Sequence, residues 1–241
     1  MSEKITESTV VGELIIRNPG MRPILERLGI DYCCGGRHTL KEAAAEKGVS
    51  LKEVLDGLDH ALVKTSAAGR DYRDWSSASL PELIAHILNR HHTFMKEQLP
   101  RLAAILSRVL VAHGARHGEE LRALQELYAA MDTALTHHLF TEEEVVFPLI
   151  LKVAGGAGRN ANEVEALRPH IEHLEEEHRA AGRELQRMRE VTSNYRLPED
   201  ACASFRALYE GLTAMEVDLH EHIHLENNIL FPRALGVGGC R

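Results

Sequence analysis

An eleven-residue pattern occurs twice in the sequence, and each copy combines a histidine, a glutamate and a Phe-Pro pair at the same spacing. Residues 138–148 read HLFTEEEVVFP, and residues 222–232 read HIHLENNILFP. In each copy the histidine and the glutamate are four positions apart, so an α-helix places both side chains on one face. The copies begin 84 positions apart. The repeat therefore indicates two similar helical segments that present a histidine and a carboxylate together.

The chain around these copies has the periodicity of long helices. From Leu80 onward, hydrophobic residues recur at steps of three and four, which is typical of helices with one buried face. Breaks near residues 113–118, 154–160 and 193–198 separate four segments of roughly 30 residues, and short connections between long helices favour antiparallel neighbours. The sequence predicts an all-α protein with a four-helix bundle over residues 80–241.

The inward stripe of each predicted helix is apolar except at a few positions. It passes through Ala85 and Leu88 in the first helix and through Val145 and Leu149 in the second. Six polar residues interrupt the four stripes: His92, His138, Glu142, His178, His222 and Glu226. Because a buried carboxylate must find a cation or a proton, we predict that these six residues bind two metal ions. Each ion has two histidines, and the two glutamates bridge the ions.

The ligand types narrow the choice of metal. Imidazole with carboxylate suits iron, manganese or zinc, whereas calcium and magnesium prefer oxygen ligands. A bridged pair with room for an exogenous ligand favours a redox or gas-binding site over a closed structural zinc site.

A ferritin-like alternative uses Glu-x-x-His motifs, here Glu175 with His178 and Glu221 with His224, but three of these four residues lie off the stripe. We expect His137 and His224 to point away from the metals.

Composition excludes several classes of partner. The formal net charge of −8 argues against nucleic acid, whose phosphates need a basic surface. No apolar stretch reaches the roughly 20 residues that span a bilayer, and the first eleven residues lack an apolar signal core. We expect a cytoplasmic protein with no membrane partner.

The N-terminal region has a different character. Residues 1–63 predict a small domain of short helices, and residues 64–79 a linker. Residues 31–36 read DYCCGG, and the α-carbons of Cys33 and Cys34, about 3.8 Å apart, are too close for an ordinary disulfide. The pair is either two reactive thiols or two small buried hydrophobes, and the sequence leaves both readings open.

The DYCCGG segment, the paired His-x-x-x-Glu segments and the LENNILFP stretch at residues 225–232 resemble the iron–sulfur cluster repair di-iron proteins, also called repair of iron centres proteins. The resemblance covers nearly the whole chain and implies a haemerythrin-like bundle behind a vicinal-cysteine domain. It implies two iron ions in an oxo-bridged centre held by the same six residues. It further implies a role in restoring iron–sulfur clusters damaged by nitrosative or oxidative stress, with the di-iron centre as the iron source.

The resemblance leaves the activity partly open. Its implied partners are damaged iron–sulfur proteins, with nitric oxide or dioxygen as small ligands, and it leaves a homodimer open. The alternatives are nitric oxide binding, scavenging or reduction at the di-iron centre, and oxygen binding, which gives Cys33 and Cys34 no role. Whether the protein is an enzyme of the nitric oxide reductase type or an iron donor is undecided at this level. We assign Cys33 and Cys34 the transfer of iron or of electrons.

Overall fold

The computed structural model describes residues 4–68, 73–155 and 161–236, and every regular element in these ranges is helical. An isolated β-bridge joins Val10 to Thr39. The predicted all-α class is confirmed. The helices in the described ranges include none with the length and apolar character needed to cross a membrane. The elements in chain order are α1 (Val11–Arg17), a 3₁₀ turn (Pro19–Met21), α2 (Arg22–Leu28), α3 (Leu40–Lys47), α4 (Leu51–Ala68), α5 (Leu80–His86), α6 (Thr93–Thr141), α7 (Phe147–Gly155), α8 (Ala161–Val191), α9 (Ala203–Leu225) and α10 (Phe231–Leu235).

The chain forms two compact units. One contains residues 1–83 together with residues 220–241, and the other contains residues 84–219. The division predicted from the sequence, at residues 63 and 79, stays a prediction. In the first unit, local signals set the helix ends: Gly29 ends α2 in the left-handed conformation at φ 66°, and Thr39 opens α3 with a capping box.

The second unit is built around α6, which folds back on itself. His117 leaves the helical region at φ −117° and ψ 19°, within the predicted break at residues 113–118. The two halves lie side by side, and a hydrogen bond of 2.9 Å from the Tyr128 hydroxyl to the Leu99 carbonyl oxygen joins them. Helix α8 packs against α6, and Tyr209 of α9 donates a hydrogen bond to Glu120 of α6. The halves of α6 with α8 and α9 correspond to the four predicted helices; the predicted break at residues 154–160 falls mostly outside the described residues.

Within the described part of the chain, three short π-helical segments interrupt the helices, at Ile87–His92, Glu142–Val146 and Glu226–Leu230. The last two precede Pro148 and Pro232. Because proline has no N–H and its ring crowds the carbonyl group four residues earlier, the turn before it widens. Segments of this kind are rare and occur mostly at functional sites. Each of the three begins or ends at a predicted metal ligand.

The π segments make part of the predicted inward stripe wrong. Ala85 is exposed and Val145 is 37% exposed, whereas Val146 and Ile150 are buried in place of Val145 and Leu149. A π turn holds more residues than an α turn. The buried face therefore shifts along the sequence at each segment, which a fixed α-helical period does not anticipate.

Candidate metal centre

A buried cluster of histidines around Glu142 lies in the unit of residues 84–219. One ligand atom each of His138, Glu142 and His178 lies within 4.8 Å of the others. His138 Nε2 is 3.2 Å from Glu142 Oε1 and 3.0 Å from His178 Nε2. His92 Nε2 is 3.3 Å from Glu142 Oε2. The two oxygens of Glu142 thus face different histidines, as they must if this carboxylate bridges two ions.

These separations suit metal coordination. Two nitrogen ligands at a metal–nitrogen distance of about 2.1 Å are about 3.0 Å apart when they meet at a right angle. The 3.0 Å between the Nε2 atoms of His138 and His178 matches that value. The four side chains of this cluster are at most 3% exposed: His92, His138, Glu142 and His178. The donors present fit a buried metal site.

A second layer of carboxylates orients two of the histidines. His92 Nδ1 is 2.7 Å from Glu143 Oε1, and His138 Nδ1 is 2.8 Å from Glu177 Oε2. Such a carboxylate accepts a hydrogen bond from the Nδ1–H group and thereby directs the Nε2 lone pair toward the metal. The hydrogen bond with His138 holds the pKa of Glu177 below its usual value. Lys96 Nζ donates to both oxygens of Glu143 at 2.7 Å, which fixes that carboxylate in turn.

Sequence reasoning missed Glu143 and Glu177 because both lie off the inward stripe. A signal was present in their positions, since Glu143 follows Glu142 and Glu177 precedes His178. A carboxylate next to a stripe ligand is within reach of a histidine on the neighbouring helix.

Replacing Glu143 by glutamine should weaken iron binding about 10- to 100-fold, the usual effect of removing a partner that orients a ligand. The cause is the loss of the charged acceptor for His92 Nδ1. The measurement is iron retained against a competing chelator. Glu144→Gln, at the next and exposed position, is the matched control and should retain iron like the unmodified protein. Equal retention by both variants would show that Glu143 does not orient His92.

The other copy of the repeated pattern lies in the unit that contains residues 220–241. His222 Nε2 is 3.1 Å from Glu226 Oε1, and both side chains are fully buried. The pairing matches that of His138 with Glu142, so both copies present a histidine nitrogen to a carboxylate oxygen inside the protein.

The remaining histidines differ in their burial. His137 is exposed, as predicted. His224 is buried, at 3% exposed, although it lies off the predicted stripe, and the expectation that it points away from the metals stays a prediction. Its Nδ1 lies 3.1 Å from Asn228 Nδ2, and burial lowers its pKa to about 4. Glu221, of the ferritin-like alternative, forms an ion pair with Arg22. These contacts give His224 and Glu221 structural partners.

The vicinal cysteines form a compact turn around Asp31. Asp31 Oδ1 accepts hydrogen bonds from the backbone N–H groups of Cys33 and Cys34, both at 2.9 Å, and from the Cys33 thiol at 3.1 Å. Both cysteines are free thiols, Cys33 buried and Cys34 half-buried. The hydrogen bond with Cys34, burial and the charge of Asp31 raise the pKa of Cys33 well above its usual value. Cys33 is therefore a neutral thiol in this environment.

This turn is attached to the segment that follows Glu226. Asn228 Nδ2 donates to the carbonyl oxygens of Tyr32 at 3.3 Å and Cys33 at 3.1 Å. Gly36 approaches so closely that a β-carbon there would collide with the Asn228 amide. The thiols are consequently held by a residue two positions after a predicted ligand.

A helical fold with a buried histidine–glutamate cluster defines a haemerythrin-like metal-binding protein. The Hemerythrin HHE cation binding domain matches residues 83–234, a span that contains all six predicted ligands. A domain of unknown function, DUF542, matches residues 7–62.

Relatives extend the match across both regions. The iron-sulfur cluster repair protein YtfE of Pectobacterium atrosepticum is 39% identical over 229 residues, covering 93% of this chain and 96% of the relative. A probable iron-sulfur cluster repair protein of Haemophilus influenzae is 37% identical over 228 residues, with the same coverage. YtfE of Yersinia pestis is 36% identical over 225 residues. The chain belongs to this family of iron–sulfur cluster repair proteins.

Proposed function

We propose that this protein repairs damaged iron–sulfur clusters and that the iron comes from its own buried centre. Family membership supports the repair role, because the matched relatives carry that function in their names and align along 96% of their length. The buried histidines around Glu142 support the binding of iron, which imidazole and carboxylate ligands suit.

The centre we propose contains two irons with an oxo bridge. Its ligands are the six residues His92, His138, Glu142, His178, His222 and Glu226. The repeated pattern supports two equivalent halves, since His138 with Glu142 and His222 with Glu226 have the same spacing, burial and nitrogen-to-oxygen contact. When bound, the iron supplies both exchangeable metal and redox chemistry.

The single observation that carries the repair proposal is the attachment of the cysteine turn by Asn228. It keeps Cys33 and Cys34 beside the segment that bears Glu226. One ligand atom each of Asp31, Cys33 and Cys34 lies within 4.8 Å of the others, so the turn has the donors for a cation in transit. Thiolate is a soft ligand that suits iron.

The protonation state of Cys33 determines when the turn can bind iron. A thiol must lose its proton to bind a metal, and the raised pKa of Cys33 keeps this thiol protonated until a cation arrives. Asp31 Oδ1 already accepts the hydrogen bond from the Cys33 sulfur, so it is placed to take up that proton. In this proposal the turn binds iron briefly and releases it to an acceptor.

Replacing Cys33 and Cys34 together by serine should lower cluster repair at least tenfold, a loss of about 1.4 kcal/mol in transition-state stabilisation. Iron content should stay at the wild-type value, because the six proposed ligands are unchanged. The assay restores a [4Fe–4S] protein damaged by nitric oxide, using iron-loaded protein under anaerobic conditions.

The same preparations test the alternative activity. Nitric oxide consumption is measured in parallel for the iron-loaded wild type. If that protein consumes nitric oxide but restores no clusters, the repair proposal fails. If the double serine variant repairs at the full rate, the cysteines have no part in transfer and the proposed route is wrong.

A further inference from the structure

A second cluster of metal-binding side chains lies at the reversal of α6. His113 and His117 are four positions apart there, and Asp200 lies in the connection between α8 and α9. One ligand atom each of these three residues lies within 4.8 Å of the others. His117 Nε2 is 2.9 Å from Asp200 Oδ1. The cluster thus joins two connections that are more than 80 residues apart in sequence.

Cys202 adds a sulfur donor to the cluster. It is exposed and immediately precedes α9. The backbone N–H of Phe205 and the side chain of His113 form hydrogen bonds with its sulfur, which lower its pKa to about 7. The sulfur therefore lies beside His113 as a candidate fourth donor, outside the group of three whose ligand atoms all lie within 4.8 Å of one another.

The surroundings hold the donors in position. The Phe205 ring packs against the His113 and His117 rings at centroid distances of 5.2 Å and 5.9 Å. Arg116 Nη1 binds the other carboxylate oxygen, Asp200 Oδ2, at 3.0 Å, which leaves Oδ1 directed at His117. His117 and Asp200 are only partly exposed, at 22% and 34% of their side chains. These contacts reduce the freedom that the side chains would lose on binding an ion.

The cluster is separate from the candidate iron centre. His113 is 21 positions after His92, and His117 is 21 positions before His138. Each separation corresponds to about 30 Å along a helix. The two groups therefore lie at different ends of the α6 hairpin and share no ligand.

We propose that His113, His117, Asp200 and Cys202 form a second metal site, which binds Zn²⁺. Two imidazoles, one carboxylate and one thiolate are four donors of the types that zinc takes in tetrahedral sites. The sulfur donor favours zinc over the hard cations calcium and magnesium. The bound ion would link the α6 reversal to the α8–α9 connection and so hold these two connections together.

The test uses the iron-loaded full chain, so that the candidate iron centre is already filled. Zn²⁺ is added in a buffer that removes weakly held ions, and zinc and iron per chain are measured by mass spectrometry. The wild type should bind one zinc in addition to its iron. His117→Gln and Asp200→Asn should each bind zinc more than tenfold more weakly and retain their iron. His170→Gln, at an exposed position of α8, is the matched histidine control.

Co²⁺ replaces zinc to test the sulfur ligand. A tetrahedral Co²⁺ bound to thiolate gives intense visible absorption and a thiolate-to-metal charge-transfer band, and Cys202→Ser should abolish that band. The proposal is overturned if the iron-loaded wild type takes up no zinc, or if His117→Gln and Asp200→Asn bind zinc as tightly as His170→Gln. Binding that depends on these residues without a thiolate band overturns the four-ligand assignment. Circular dichroism verifies that each variant is folded.

Discussion

Replacing His138 by alanine should remove at least one of two irons per chain. This side chain contacts both Glu142 and His178 through Nε2, so its loss removes a nitrogen donor and also releases Glu177 from its hydrogen bond. We expect iron affinity to fall at least 100-fold, about 2.7 kcal/mol. Iron per chain after anaerobic loading and desalting is the measurement.

The neighbouring residue provides the matched control for this experiment. His137→Ala changes the same type of side chain one position away, but His137 is exposed. Its iron content should equal that of the wild type. Comparable iron loss in the two variants would mean that iron binding depends on helix integrity and not on the buried imidazole.

Removing the metal should lower the melting temperature by roughly 8–16 °C. Metal at about 1,000 times its dissociation constant stabilises the folded state by about 4 kcal/mol for one site. In a protein of this size about 1 kcal/mol shifts the midpoint by 2–4 °C. The physical cause is Glu142, which is fully buried and whose charge is costly in the interior without a cation. Calorimetry of iron-loaded and chelator-treated protein measures the shift.

Two glutamate variants separate charge burial from metal binding. Glu226→Gln removes a buried charge, so it should weaken iron binding and change the stability of the metal-free protein little. Glu210→Gln, at an exposed position on α9, the helix that leads into the π segment containing Glu226, should change neither property. A metal-free protein as stable as the iron-loaded form would argue strongly against a buried metal centre.

The sequence was sufficient for the helices and for the burial of the six polar stripe residues. Long apolar stripes have a strong period, and a histidine or glutamate within one stands out against leucine and methionine. All six residues are indeed at most 3% exposed. Their role as ligands stays a prediction. The exposure of Val145 could not be foreseen, because the π turn shifts the period by only about one residue.

Contacts between distant polar groups left no trace in the sequence pattern. The Cys33 carbonyl oxygen and Asn228 are 195 positions apart, and neither belongs to a periodic stripe. The cysteine pair was recognisable as unusual from its own residues. The residue that holds it was not, because an asparagine bonded to a backbone carbonyl group has no characteristic spacing.

The π segments also determine which genetic changes this protein tolerates. A π turn holds about one residue more than an α turn, so deleting one residue between Glu142 and Phe147 would leave an ordinary α turn and keep Phe147 on its buried side. Each residue of a regular α-helix advances the chain by about 100°, so the same deletion in the regular part of α6 would rotate everything after it by that angle. Among natural variants, one-residue differences in length should therefore occur at the π segments more readily than within the regular helices.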